Sequence, residues 1–320
     1  ILEEVGFTNG RIYVRGKLTA RGKRKRADYI LYYKTNIPVA IIEAKDNNHS
    51  VRAGIQQALD YANTLDIPFV FSSNGDGFLF HDKTSNNENL ETEIALNDFP
   101  SPEELWNKYK IFKGFSTPEV NKIIEQDYYF DSSGRAPRYY QQIAINRTVE
   151  AVASGKDRLL LVMATGTGKT LLSAAIIKLF LKTKNARRVL FLVDRIELEN
   201  QAKKNFDAYL KPDFTTVVYK EARDEWKKAE IVVTTIQSIS SNNKYLKLFS
   251  PNDFDLIISD EAHRSISGNS RVIFEYFIGY KLGLTATPKD YLKKVDQEDL
   301  AEQDPRELER RILLSTYKTF

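Results

Sequence analysis

Leu159-Leu160-Leu161-Val162-Met163-Ala164-Thr165-Gly166-Thr167-Gly168-Lys169-Thr170 runs from an apolar stretch straight into a glycine-rich turn, and Leu171–Leu181 continues with helical periodicity. A strand, a glycine loop and a helix in that order can cradle a phosphate. Glycine lets backbone N–H groups approach an anion closely, in dihedrals that other residues avoid. The helix behind the loop points its positive end at the same place. The spacing assigns Lys169 to the β/γ-phosphates of a nucleotide and the Thr170 hydroxyl to Mg²⁺, with Thr165, Gly166, Thr167 and Gly168 forming the cradle. One departure is visible, since the first glycine of the pattern G-x-x-x-x-G-K-[ST] falls at Met163.

Outward from this stretch, short apolar runs at Val189–Val193, Ile231–Thr234, Leu256–Ser259 and Leu282–Thr285 alternate with helical segments. Buried strands alternating with helices predict a mainly parallel sheet covered on both faces. Asp260-Glu261-Ala262-His263 follows one strand and Thr285-Ala286-Thr287-Pro288 follows another. An acid placed like Asp260 suits Mg²⁺, and the next acid, Glu261, can orient an attacking water.

Upstream, Asp28–Tyr33 and Pro38–Ala44 flank Lys34-Thr35-Asn36 and read as a β-hairpin, with Asp28 beginning the first strand. Ser50 reads as the cap of a helix running to about Leu65. Strands are expected near Phe69–Ser72 and Phe78–His81, a loop over Lys83–Asn97, and a helix opening at Thr117-Pro118. Glu43 and Lys45 share one side of the second hairpin strand by the period-two rule. Pairing of the strands brings Asp28 near both. Two carboxylates at such a place can hold Mg²⁺ through hard oxygens, and the Lys45 ammonium can hold or activate a water beside it. The alternative is a solvated hairpin, against which stands the apolar run Pro38–Ile42 leading into Glu43.

The chain has 320 residues, 42% of them hydrophobic and 28% charged, enough for two domains with cores of their own. With no cysteine, disulfides and thiolate metal sites are excluded. No apolar run reaches the length of a membrane span, and a cytoplasmic location is expected. The net charge of +4 is too mild to indicate a nucleic-acid partner by itself. Its distribution is more telling. Arg11, Arg15, Lys17, Arg21, Lys23, Arg24, Lys25 and Arg26 form an acid-free run directly before Asp28. Such a run suits DNA phosphates or a solvated loop. His49 and His81 lack ligand-like spacing.

Taken together, the motifs around Lys169, Asp260 and Thr285 resemble motifs I, II and III of superfamily 2 helicases. Arg138-Tyr139-Tyr140-Gln141 resembles the adenine-reading Q motif, which implicates Gln141. Phe191–Arg195 with Glu197, Leu198 and Gln201, and Thr234–Ser238, resemble the motifs that line the DNA track, which implicates Arg195, Thr235 and Gln237. The resemblance implies that His263, Thr285 and Thr287 couple nucleotide state to neighbouring motifs.

Asp28, Glu43 and Lys45 resemble a PD-(D/E)xK nuclease core in which Ala27 replaces the proline. Ala44 is counted among its metal ligands. Gln57 and Tyr61 match the Q-x-x-x-Y element of the RecB-like branch, on one helix face. An acid on the first helix is common in this fold, and Glu3 and Glu4 are the candidates.

The order of the two motif sets resembles the restriction (R) subunit of bacterial type I restriction–modification enzymes. The expected fold is α/β, a mixed-sheet endonuclease domain at 1–115, a connector at 116–135 and a RecA-like lobe at 136–320. The chain starts at Ile1 without methionine and ends at Phe320, and is read as a piece of a longer protein lacking the second lobe, hence a weak ATPase alone. The resemblance implies ATP and Mg²⁺ as cofactors, double-stranded DNA as substrate, and methyltransferase and specificity subunits as partners. The alternatives are another nuclease–translocase, such as a repair enzyme, and a non-cleaving ATP-binding DNA adaptor.

Overall fold

The computed structural model describes residues 1–8, 12–15, 18–21, 24–86, 90–115, 117–125, 137–221, 224–264 and 269–288. Two compact units result, Ile1–Tyr128 with Pro137–Ser154, and Tyr129–Ala136 with Gly155–Phe320. Lys23, Lys17 and Arg11 of the basic run lie outside the described residues, as do residues 126–135 of the expected connector.

The first unit runs β1 (Leu2–Thr8), β2 (Ile12–Arg15), β3 (Leu18–Arg21), β4 (Arg24–Lys34), β5 (Ile37–Ala44), α1 (Ile55–Leu65), β6 (Phe69–Ser73), β7 (Gly77–Asp82), β8 (Glu91–Ala95), α2 (Pro102–Lys113), α3 (Pro118–Ile124) and α4 (Tyr139–Ala153). Its six-stranded sheet has the order β1-β4-β5-β6-β7-β8, and β2 pairs with β3 separately. Only β5 and β6 are parallel, joined through α1, so the sheet is mixed. Ala58, Ala62 and Leu65 of α1 pack on Ala27, Ile30, Ile41 and Val70 of the sheet. Small residues on the helix let it lie close to the strands.

Several expectations are corrected here. Asp28 does not begin its strand but lies inside β4, which extends back to Arg24. Ser50 is not the helix cap. The helix starts later, at Gly54, whose N–H donates to Ser72 Oγ at 3.1 Å. Lys83–Asn97 is not all loop, because Glu91–Ala95 adds edge strand β8 antiparallel to β7. Its polar residues suit an edge, which has one open side. Glu3 and Glu4 lie on a strand, β1, where a first helix was expected, and Glu4 pairs with Arg26 at 3.2 Å.

Helix α3 begins as expected, with Thr117 Oγ1 accepting from Val120 N. Helix α2 opens with a reciprocal capping box between Ser101 and Glu104.

Helix α4 belongs to the first unit, although the expected boundary near 136 gave it to the second. The reason is polar anchoring. Gln142 and Asn146 each donate to Asn36 O at 3.2 Å. Arg147 bonds Asp66 at 2.5 Å, and Glu150 accepts from Tyr109 and Lys113 of α2 at 2.6 and 3.1 Å.

The second unit runs β9 (Arg158–Val162), α5 (Lys169–Lys182), β10 (Val189–Val193), α6 (Glu197–Leu210), β11 (Thr216–Val218), β12 (Ile231–Thr235), α7 (Ile236–Ser240), α8 (Lys244–Leu248), β13 (Leu256–Asp260), α9 (Asn269–Tyr276) and β14 (Tyr280–Thr285). Its strands are all parallel, in the order β11-β12-β10-β13-β14-β9. Strands β10, β12 and all but the last residue of β13 are buried, which explains their continuous apolar sequences. No helix among the described residues is long and apolar enough to cross a membrane.

Candidate functional site

In the first unit the hairpin and α1 converge on Glu43. Antiparallel pairing of β4 with β5 sets Tyr29 opposite Ile42, so Asp28 comes level with the end of β5. There Asp28 Oδ2 accepts from Ala44 N at 2.9 Å. Glu43 is 2% exposed, and its Oε1 accepts from Lys45 Nζ at 3.0 Å and from Gln57 Nε2. Lys45 Nζ also donates to Gln57 Oε1 at 3.4 Å, and Gln57 Nε2 donates to Tyr61 Oη at 3.1 Å. The spacing of α1 therefore puts Gln57 and Tyr61 on the face turned to Glu43, as the i, i+4 rule predicts.

Burial pushes the Glu43 carboxyl above its usual range, the Lys45 hydrogen bond opposes this, and the charge of Asp28 adds to the rise. Glu43 Oε2 is buried and accepts no hydrogen bond. A buried carboxylate oxygen without a partner is costly unless a cation takes it. That oxygen and the neighbouring Asp28 carboxyl are hard donors of the kind Mg²⁺ takes. Among the described residues no group of three or more His, Cys, Asp or Glu side chains is placed to hold a metal by itself.

Two residues that the sequence reading missed seat this acid. A Cβ on Gly54 would lie 2.7 Å from Ser72 Oγ and 3.1 Å from Glu43 Cγ. Glycine at the start of α1 is what lets the helix come this close to Glu43.

Of the basic run, Arg24 and Arg26 are exposed, and Lys25 Nζ stands 5.3 Å over the Tyr61 ring. Arg21 lies on β3 with its side chain undescribed.

In the second unit the glycine loop joins β9 to α5. Gly166 has φ +76° and Gly168, the N-cap of α5, φ +85°, a conformation that side chains disfavour. Thr167 Oγ1 donates to Ala164 O at 2.6 Å and steadies the loop, while Thr165 is exposed and Thr170 half-buried. Lys169 Nζ lies 2.8 Å from Glu261 Oε1 and 3.8 Å from Asp260 Oδ1. Burial raises the Asp260 carboxyl, Lys169 lowers it, and Glu261 raises it again. Asp260, 3.8 Å from Lys169, offers hard oxygens of the kind Mg²⁺ takes, and Thr170 follows Lys169 at the start of α5.

His263 Nδ1 lies 2.9 Å from Thr285 Oγ1, which also accepts from Thr287 N at 3.1 Å. The acidic motif is thereby tied to the strand end after it. Arg264 bonds Asp194 at 2.6 Å, next to the exposed Arg195.

Thr235 does not face solvent as a DNA contact would, being 1% exposed. Its hydroxyl instead caps α7, accepting from Ser238 N at 3.2 Å. Gln237 in the same turn is exposed. The missed residue here is Glu199, 3% exposed, whose Oε1 accepts from Thr235 N at 2.8 Å. Its signal was legible, because an acid shares a helix face with Ala202, Phe206 and Leu210.

Gln141 is buried in the first unit, and its Oε1 accepts from Arg138 N at 2.9 Å.

Comparisons with known proteins agree with both halves. Residues 1–100 match the family described as type I restriction enzyme R protein N terminus, and residues 135–290 match the type III restriction enzyme res subunit family. The chain is 47% identical to the type I restriction enzyme EcoAI endonuclease subunit of Escherichia coli, covering 91% of this chain and 36% of that protein. It is 26% identical to the EcoKI endonuclease subunit of Escherichia coli K12, over 83% of this chain and 28% of that one. The chain thus spans about a third of the length of the curated relatives it matches. Its fold is similar to a fragment structure of an HsdR subunit of a type I restriction enzyme from Vibrio vulnificus, with TM-score 0.69 and 36% identity, over 90% of this chain and 50% of that one.

Proposed function

Because the chain belongs to the family of type I restriction enzyme R subunits, we propose that it joins a metal-dependent DNA nuclease to an ATP-driven motor lobe. The observation that carries the nuclease half is the partnerless buried Oε2 of Glu43, beside Asp28 and within a carboxylate–lysine–glutamine–tyrosine network.

Asp28, Glu43 and the Ala44 carbonyl would hold the ion. When bound, Mg²⁺ polarises the scissile phosphate and makes its water more acidic. The chain's own residues do the rest. Lys45, tethered by Glu43 and Gln57, holds the attacking water and offsets negative charge gathering on the phosphate. Gln57 fixes Glu43 and Lys45 relative to each other, and Tyr61 fixes Gln57. Arg24, Lys25 and Arg26 bring DNA phosphates to this place without reading sequence.

In the motor lobe, the backbone of Thr165–Gly168 receives nucleotide phosphates and Lys169 leaves its acidic partners for them. Thr170 and Asp260 would hold the nucleotide's Mg²⁺. Glu261 orients the water for hydrolysis, and His263 passes the change to Thr285 and Thr287. Arg195 and Gln237 touch the DNA along which the motor moves, whereas Gln141 is buried in the first unit and serves the start of α4. The complete enzyme includes methyltransferase and specificity subunits, to which sequence recognition is delegated.

Lys45→Ala tests the nuclease reading. Nicking of plasmid DNA with ATP and Mg²⁺ present is expected to fall at least 100-fold, in the range of a removed catalytic group. Cutting that persists in this variant removes Lys45 from the chemistry. Co-purification with methyltransferase and specificity subunits separates this reading from a repair enzyme.

A further inference from the structure

The start of α4 touches the nuclease site through an unbroken run of side chains inside the first unit. Tyr139, the first residue of α4, donates its hydroxyl proton to Thr8 O at the end of β1. Its ring stands edge-on to Phe7, with centroids 6.2 Å apart. Phe7 in turn stands edge-on to Tyr61 at 5.1 Å and an interplanar angle of 86°. Tyr61 Oη accepts from Gln57 Nε2, and Gln57 holds both Glu43 and Lys45.

We propose that Tyr139 and Phe7 are positioning residues of the nuclease site, setting the tilt of the Tyr61 ring and so the place of the Glu43 carboxylate. The inference rests on the nuclease reading above. Three facts carry it. Phe7 is 3% exposed, and Tyr139, half-buried, packs on the same core cluster as Ala58 and Ala62, so the Phe7 ring is enclosed and Tyr139 bears on it from one side. Interiors packed this tightly pass on small displacements because they cannot absorb them. Lys25 lies over the Tyr61 ring, which gives Tyr61 a cationic neighbour as well as the Phe7 edge. Tyr61 can therefore move little without Phe7.

The far end of the run is also tied down. Helix α4 is fixed by Gln142, Asn146, Arg147 and Glu150 to the β4–β5 turn, to Asp66 and to α2. A rotation of α4 about these bonds would reach Tyr139 and, through Phe7, the lysine and the acid that face the scissile phosphate. Outer groups of metal sites change metal affinity about 10–100-fold when altered, by reorienting the ligands they hold. Tyr139 acts through Phe7, Tyr61 and Gln57, so the lower end of that range is expected.

The test is calorimetric titration of Mg²⁺ into the nucleotide-free full-length subunit, with thermal unfolding measured alongside. Glu43→Gln is expected to remove the binding heat and so identifies the site. If it does not, the nuclease reading itself fails. With that control in place, Tyr139→Ala is expected to weaken Mg²⁺ binding about tenfold, while Tyr139→Phe, which keeps the ring, stays near the parent. Tyr139→Leu repeats the test should the alanine variant unfold. Leu105→Ala, a change at a buried position of α2 outside this core cluster, should lower the unfolding temperature and leave the affinity unaltered. The double variant Tyr61→Ala/Tyr139→Ala should bind no more weakly than Tyr61→Ala alone. Unaltered affinity in both Tyr139 variants that lack the ring, or additive losses in the double variant, overturns the relay while leaving the nuclease reading standing.

Discussion

Glu43 is held where its charge is uncomfortable, and this has a measurable consequence. Its folded-state value is raised above 4.5, chiefly by burial. Stability from the protonated form is therefore present below 4.5 and lost as pH rises through the raised value. Glu43→Gln removes that loss. Without metal, the variant is expected to melt at a higher temperature than the parent at pH 7, with the advantage shrinking toward pH 4.5, in thermal scans across that range. A less stable variant at neutral pH would mean that the hydrogen bonds to the charged form outweigh its burial. Gly54→Ala makes a complementary prediction. The added methyl meets Ser72 and Glu43 and should cost about 1–3 kcal/mol by overpacking, read from urea unfolding. At this scale the sequence was legible wherever spacing alone dictates direction. Glu43, Lys45, Gln57 and Tyr61 meet as the period-two and i, i+4 rules require. Gly54, Ser72 and Glu199 were not found, because their roles depend on which elements pack together. Thr235 was misjudged because a hydroxyl beside a helix start serves the backbone as readily as a ligand.

Among the elements, the fully buried parallel strands were the easiest to read. β10, β12 and β13 are apolar runs bounded by polar turns, and their placement follows from that. Edge elements carry a weaker signal, which is why β8 was taken for loop and β1 was given no strand. Helix α1 starts later than its sequence suggests because packing on Ser72 and Glu43, not a side-chain cap, selects its first turn. Helix α2 shows the opposite case, where Ser101-Pro102-Glu103-Glu104 spells the cap outright. Ser101→Ala should cost about 1 kcal/mol, seen as a lower urea midpoint with an unaltered slope. The start of β13 is tied down by charge. Burial pushes Asp255 up, but Arg187 and the backbone N–H groups of Arg187 and Arg188 bring it below 3.8. Its contribution is present above 3.8 and lost as pH falls through the lower folded value. Asp255→Asn should therefore destabilise the protein at pH 7, and the difference from the parent should narrow in strong acid.

For the whole molecule, the proposed function puts two chemistries in two units, each drawing on residues at its own strand ends. The order of motifs along the chain suggested a division into two, and the chain does form two compact units, but with α4 in the first. That helix carries a sequence like a nucleotide-reading element yet is bonded to the nuclease unit through Asn36, Asp66, Tyr109 and Lys113. No local pattern announces such long-range bonds. Whether the two proposed sites act independently is what a single experiment can probe most directly. Cleavage and DNA-stimulated ATP hydrolysis are measured in one sample of the full-length subunit together with the proposed methyltransferase and specificity subunits, comparing the parent with Glu43→Ala. Cleavage abolished with ATP turnover retained is the expected result. Cleavage surviving the loss of Glu43, or turnover collapsing with it, would contradict two independent centres built on Glu43 and Lys169.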